Sequence, residues 1–309
     1  MIPADVRTAR LSLAAAALLW SLSSGFVRVI RVPTALGLDQ PALTPVQVAV
    51  FRGFFAGLVM LPFVRRTDVR VRPRMLLMVA CFGTMSGLYL SALSLGSAAN
   101  AILLQNTAPF WVYLIGVHLL GQPADRRSWW AILVAMLGAA VMLAGNWPRG
   151  LPPAESAAQA EILFMALGSG VMYAGVILFL RSLRDESAPW LTAWNLLGSA
   201  GLLLGFVAVW HGPAAARELL TTPTAGQLGF LAVFGVVQMA LPYLLFARGL
   251  KVVGPQEAGL ITLLEPVFNP IWAYLLSPET DTPTAWTAVG GAILLGALGW
   301  RYLVRSPTR

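Results

Sequence analysis

The chain has 309 residues, of which 58% are hydrophobic and only 11% charged, against the roughly 25% charged of an ordinary soluble domain. That composition excludes a soluble globular fold and points to an integral membrane protein built mostly of helices. The net charge of +8 sits on basic residues in short loops between apolar runs, which fits positive-inside topology and not nucleic-acid binding. Cys81 is the single cysteine and lies in an apolar run, so no intrachain disulfide or cysteine metal cluster is available. His118 and His211 stand far apart, and no metal site is expected. Lys251 is the single lysine and no GxxxxGK occurs, so P-loop nucleotide hydrolysis is excluded and no cofactor is expected.

Ten segments reach or approach the roughly 20 apolar residues that a spanning helix needs. They lie near residues 10–30, 44–64, 74–95, 98–120, 128–146, 160–180, 189–210, 226–248, 255–277 and 284–304. The first has the look of a signal peptide, with Arg7 and Arg10 before an alanine-rich core. Its apolar run continues to about Ile30 without a small-residue cleavage site, so it reads as a helix. With the N-terminus inside, Arg28, Arg31, Arg149 and Arg217 fall outside and Arg52 within a span, while the remaining basic side chains all fall on inside segments. That bias alternates loop by loop and predicts cytoplasmic termini. Trp129, Trp130, Trp147, Trp190, Trp210, Trp286 and Trp300 fall near span ends, as an interfacial aromatic belt requires.

A shift of 157 residues superposes Leu93 on Leu250, Ala101 on Ala258, Pro109 on Pro266, Trp129 on Trp286 and Ala140 on Ala297. It aligns the third-to-fifth spans with the eighth-to-tenth, and the first two match the sixth and seventh loosely. Residues 10–146 and 160–304 then form two five-helix repeats joined by a linker loop, 147–159. Five spans per half is an odd number, so the second half enters the membrane from the opposite side. Inverted repeats of this kind are a common plan of secondary transporters, with the substrate site near the midplane. Gly53 and Gly57, Gly83 and Gly87, and Gly201 and Gly205 are GxxxG pairs expected to pack helices within the bundle.

The ninth segment, Gly254 to Ser277, carries a carboxylate, Glu265, near its middle and Pro266 directly after it. An ionisable group at that depth faces protein or water by default and is a functional candidate. Ala258, Thr262, Glu265, Asn269 and Trp272 share one helical stripe, small or polar against Leu, Ile, Val and Phe elsewhere. The stripe reads as one wall of a polar cavity, or as a structural carboxylate beside a proline kink. Gln105 and Asn106 precede Pro109 in the fourth span and offer amide donors and acceptors to a polar metabolite, or to a neighbouring helix. Gln238 and Tyr243 flank Pro242 in the eighth span, and Ser86 and Tyr89 lie about one turn apart in the third. Trp20 and Ser24 lie four apart in the first, with Tyr173 in the sixth a loose counterpart of Trp20.

Arg52 is the intramembrane cation, roughly 12 Å deep at 1.5 Å per residue. A lone charge there needs an anionic or carbonyl partner. It serves a structural pair with Glu265 or backbone carbonyls, an outer gate, or recognition of a substrate carboxylate. Glu265 is the one carboxylate near the midplane and is a candidate proton carrier.

Leu18-Leu19-Trp20-Ser21, Arg52, Ala92-Leu93 followed by Ser97-Ala98, and Leu264-Glu265-Pro266-Val267 mirrored by Thr107-Ala108-Pro109-Phe110 carry a family likeness. On these residues, over roughly 10–304, the chain resembles the drug/metabolite transporter superfamily, in its ten-helix EamA-like branch. Glu279 occupies a position where that family often has glutamate after the ninth span, and its mirror Gln122 departs from the pattern. The resemblance implies a bacterial inner (plasma) membrane carrier that moves amino acids or other small metabolites, usually outward. The expected protein is therefore an all-α, multi-pass secondary transporter working by alternating access. Its partners are a small-molecule substrate and membrane lipid; without nucleotide chemistry, the energy comes from a proton gradient coupled through Glu265, from another ion gradient, or from the substrate's own gradient. A channel or a non-transporting membrane sensor is the alternative. An intramembrane enzyme is less favoured, because no HExxH, GxSxG or paired intramembrane aspartates are present.

Overall fold

The structure is a computed structural model that describes residues 4–119, 121, 126–253 and 255–303. Gln122, Gly254, Arg305, Arg309 and the last residue of the second predicted repeat, 304, lie outside the described residues. Among those described, the regular structure is entirely helical. A chain this apolar has no water in lipid to satisfy its backbone, so each segment must close its own hydrogen bonds.

The helices are α1 (Ala4–Ser21), α2 (Ser23–Arg31), α3 (Pro45–Met60), α4 (Pro73–Leu95), α5 (Ala98–Gln105), α6 (Ala108–His118), α7 (Arg126–Gly145) and α8 (Pro153–Ser182). There follow α9 (Ala188–Trp210), α10 (Pro213–Thr221), α11 (Ala225–Gly235), α12 (Leu241–Gly249), α13 (Pro255–Thr262), α14 (Leu264–Leu276), α15 (Pro278–Asp281) and α16 (Ala285–Leu303). A π-helical turn, Val236–Ala240, joins α11 to α12. Prolines open α3, α4, α8, α9 and α10, where the missing N–H would have no intrahelical partner in any case. Thr44 and Thr224 cap α3 and α11 in reciprocal boxes with Gln47 and Gln227.

Among the described residues eight stretches are long and apolar enough to cross a membrane, from Asp5–Arg31 through Glu257–Leu276. The predicted segment 98–120 is instead two short helices, α5 and α6, and 284–304 is the 19-residue α16. Two expectations change. The stretch 147–159 is not all loop, because Pro153 starts α8 and leaves residues 146–152 as the connection. Short helices, α10 and α15, occupy stretches read as loops.

The breaks repeat at the offset found in the sequence. Moving α5 by 157 residues gives the bounds of α13, and the interruption after Gln105 falls on the one after Thr262. Neighbour relations repeat as well. When the two halves are exchanged, the packing of α4 on α8 maps onto α12 on α1. Likewise α5 on α8 maps onto α13 on α1, and α4 on α9 onto α11 on α3. The pairs α3 with α9 and α7 with α16 are their own mates.

Gly53, Gly57, Gly83 and Gly87 all face α9 closely; a Cβ on Gly57 would meet the Leu197 side chain at 2.6 Å. Gly201 and Gly205 differ from expectation, since a Cβ on either would meet nothing within 4 Å. A close backbone approach joins α7 to α16, where a Cβ on Gly290 would lie 2.5 Å from the Gly138 carbonyl and 3.0 Å from the Met142 nitrogen. Those atoms are backbone and cannot rotate away. Gly290→Val is therefore expected to destabilise the bundle by about 1–3 kcal/mol, the usual cost of overpacking. Its thermal unfolding midpoint in detergent should fall clearly below wild type, whereas Gly205→Ala should leave it unchanged.

Side-chain bonds gather the loops at two ends. At one end Gln47 donates to the Leu219 carbonyl, Gln227 to the carbonyls of Leu38 and Pro41, and Asn146 to Thr287, which in turn donates to Asn100. At the other, Arg10 pairs with Glu257, Arg72 pairs with Glu186 at 2.6 Å, and Trp190 Nε1 donates to the Arg70 carbonyl at 2.8 Å.

Candidate functional site

The interruptions in the helices put polar side chains at mid-length. In the first pair, the Ser21 hydroxyl bonds back to the Leu18 carbonyl at 2.6 Å, and the chain kinks at Leu22 before α2. Ser23 and Ser24 thereby face α14. Ser24 Oγ donates to the Asn269 carbonyl, and Asn269 Nδ2 donates to Ser23 Oγ at 2.7 Å. Ser23 Oγ also shares a hydrogen bond with the Tyr89 hydroxyl at 3.0 Å, and Trp272 Nε1 donates to Ser21 Oγ at 2.9 Å. The predicted stripe on the ninth segment thus turns toward the first, and Ala258 continues it by packing with Ala9 and Leu13.

The second polar knot forms where α11 crosses α3. Gly235 lies so close that a Cβ there would sit 2.5 Å from the Arg52 carbonyl. The next turn is π-helical, with Leu241 N–H reaching the Val236 carbonyl, because Pro242 has no N–H to offer. Gln238 sits in that turn and bridges two elements: Nε2 donates to the Trp20 carbonyl at 3.1 Å, and Oε1 accepts from Arg52 at 3.1 Å. Arg52 also donates to Ser86 Oγ at 2.9 Å and lies over the Phe234 ring at 5.3 Å from its centre. Trp20 packs edge-on against Tyr243, with ring centres 5.4 Å apart.

Glu265 occupies the first turn of α14, where the unpaired N–H groups and the helix dipole favour negative charge. Among the described residues no hydrogen bond or ion pair engages its carboxylate, so the pairing of Arg52 with Glu265 is not made.

Trp20, Ser24, Arg52, Ser86, Tyr89, Gln238, Tyr243, Asn269 and Trp272 are thus joined by contacts, with Glu265 beside them. Gln105 and Asn106 lie at the α5–α6 break, and Asn106 Nδ2 donates to the Ile102 carbonyl in its own helix at 2.8 Å. Tyr173 is exposed, on the same stripe of α8 as the buried Ala166 and Gly170.

Sequence reasoning missed two features. Ser23 is the hub between Tyr89 and Asn269, and its spacing from Trp20 was the available signal. Arg28, at the outer end of the first predicted segment, and Asp281, between the ninth and the tenth, are buried together, 3% and 0% exposed. Asp281 receives Arg28 through both oxygens, one at 2.8 Å, and accepts the Ala98 N–H that opens α5 at 2.8 Å. Arg28 also donates to the Gly96 carbonyl at 2.6 Å. A cavity of about 280 Å³ adjoins this pair, lined by Gly96, Asn100, Asn146, Thr284 and Thr287 among others. No sequence pattern links Arg28 to a residue more than 250 positions away.

The EamA-like transporter family matches residues 8–144 and again 161–301. An uncharacterized transporter of Archaeoglobus fulgidus is 32% identical over 259 residues, 82% of this chain and 86% of that protein. The pseudopaline exporter CntI of Pseudomonas aeruginosa is 25% identical over 271 residues, 86% of this chain and 89% of the exporter. A crystal structure shares the fold at a TM-score of 0.59, covering 95% of this chain and 97% of its own at 16% identity. The family and these named relatives are transporters and not enzymes. With its apolar helices and a family match over most of its length, the chain belongs to the EamA-like transporter family and is a multi-pass membrane transporter.

Proposed function

We propose that the protein is a secondary transporter that exports small metabolites such as amino acids or drugs across the bacterial inner membrane by alternating access. Ten crossings in two inverted repeats, 10–146 and 160–304, underlie this reading, with both termini cytoplasmic. The exchange-related helix contacts, the double family match and the sorting of loops to two ends all support it. The observation that carries it is the paired interruption, after Gln105 and after Thr262, with Glu265 in the first turn beyond the second break. Broken helices at matching places in two halves are where such carriers hold substrate.

The binding surface proposed is Trp20, Ser24, Ser86, Tyr89, Gln238, Tyr243, Glu265, Asn269 and Trp272, with Gln105, Asn106 and Tyr173 on the opposite wall. The Arg28–Asp281 pair seals the outer end. Outward direction draws support from the name of the Pseudomonas aeruginosa exporter.

Counterflow tests the reading. Proteoliposomes preloaded with an unlabelled amino acid mixture should accumulate labelled amino acid transiently and saturably. Flux that rises linearly with concentration and shows no counterflow indicates a channel, and no flux with any of a broad metabolite panel indicates a sensor.

A further inference from the structure

We infer that Arg52 is the receptor for a carboxylate on the transported molecule, an assignment that rests on the transporter reading above. Among the described residues two arginines are buried, and they make the contrast. Arg28 has everything a buried cation requires: both oxygens of Asp281 and a backbone carbonyl. Arg52, equally buried at 3% exposure, has two neutral acceptors, Gln238 Oε1 and Ser86 Oγ. Its Nε is buried without an acceptor. Among the described residues no carboxylate lies within ion-pair distance of it.

A buried charge without its counter-charge keeps most of its desolvation cost. The Phe234 face offsets part of that cost but supplies no directional acceptor. A neutral side chain would hold Gln238 and Ser86 without the penalty. What the guanidinium alone adds is a planar fork of donors that fits a carboxylate through two parallel bonds.

The far side of the cluster has the opposite polarity. Asn269 Oδ1 is buried without a donor, and among the described residues no hydrogen bond or ion pair reaches the Glu265 carboxylate, one turn before it. The Tyr89 hydroxyl joins this side, bonded to Ser23 Oγ at 3.0 Å and to Asn269 Nδ2 at 3.4 Å. The site therefore orients a molecule with its anionic group on Arg52 and a donor-bearing group toward Asn269 and Glu265.

The test uses the full chain in detergent, with thermal unfolding as readout and matched probes that differ at the carboxylate. Suitable sets are the amino acids phenylalanine, leucine and serine with their amides, and benzoate with benzamide; sodium chloride is titrated separately. On wild type the acids should raise the unfolding temperature and the amides should not. Arg52→Gln should unfold at or above the wild-type temperature without ligand, since the uncompensated charge is gone, and should lose the preference for acid over amide. Arg52→Lys, which keeps the charge but not the fork, should retain a weakened preference.

An Arg52→Gln protein that unfolds several degrees below wild type makes the arginine structural and overturns the assignment. So does a wild type that responds to acid and amide alike, or to no acid at all. A shift produced entirely by chloride replaces the substrate group with a resident halide. Saturable counterflow without any preference for acids leaves the transporter standing and removes this inference alone.

Discussion

Asp281→Asn is expected to destabilise the protein by about 3–5 kcal/mol, the cost of leaving one member of a buried ion pair without its partner. Arg28 would keep its burial and lose its counter-charge, and the amide could accept from the Arg28 fork through one oxygen only. Unfolding in detergent, followed by heat or denaturant, measures the loss. The double variant Arg28→Met, Asp281→Leu removes both charges and should recover much of the stability, because apolar replacement of a buried pair is often neutral. Failure to recover would assign the loss to the Ala98 N–H and Gly96 carbonyl, which the double variant leaves unpaired. The pair ties the end of α2, the start of α5 and the loop helix α15 into one unit. In the proposed alternating access, opening that end would separate these segments or carry them together.

Glu265→Gln should abolish the response of transport to a pH gradient. Glutamine matches the shape of the carboxyl group and stays neutral at every pH, so the site can neither release nor take up a proton. Gradient-driven uptake into proteoliposomes is expected to fall to the level measured without a gradient. Exchange in counterflow should persist, because it needs no net proton movement. The absence of any donor to the Glu265 carboxylate among the described residues motivates this: nothing in the described structure holds it permanently in one charge state. Wild-type transport indifferent to the gradient would replace proton coupling with facilitated diffusion.

Much of the site was legible because helical spacing is a strong local rule. Asn269 and Trp272 share a stripe at steps of three and four residues, and both turn toward the first segment. Ser86 and Tyr89 likewise face the cluster together. The partner of Arg52 was not legible. Gln238 reaches it because Pro242 forces a π-helical turn and Gly235 lets α11 close on α3, a conjunction of two elements far apart in the chain.

The sequence by itself determined a membrane-embedded all-helical chain, the 157-residue offset between its halves, and the carboxylate and the breaks at mid-segment. These follow from composition and periodicity, which act through neighbours along the chain. Only the tertiary structure decided that Arg28 meets Asp281, that Arg52 meets neutral groups instead of Glu265, and that Ser23 joins Tyr89 to Asn269. Each is a contact between distant segments. Its formation depends on which helices pack together, and a buried charge or hydroxyl takes whatever partner that packing brings within about 3 Å.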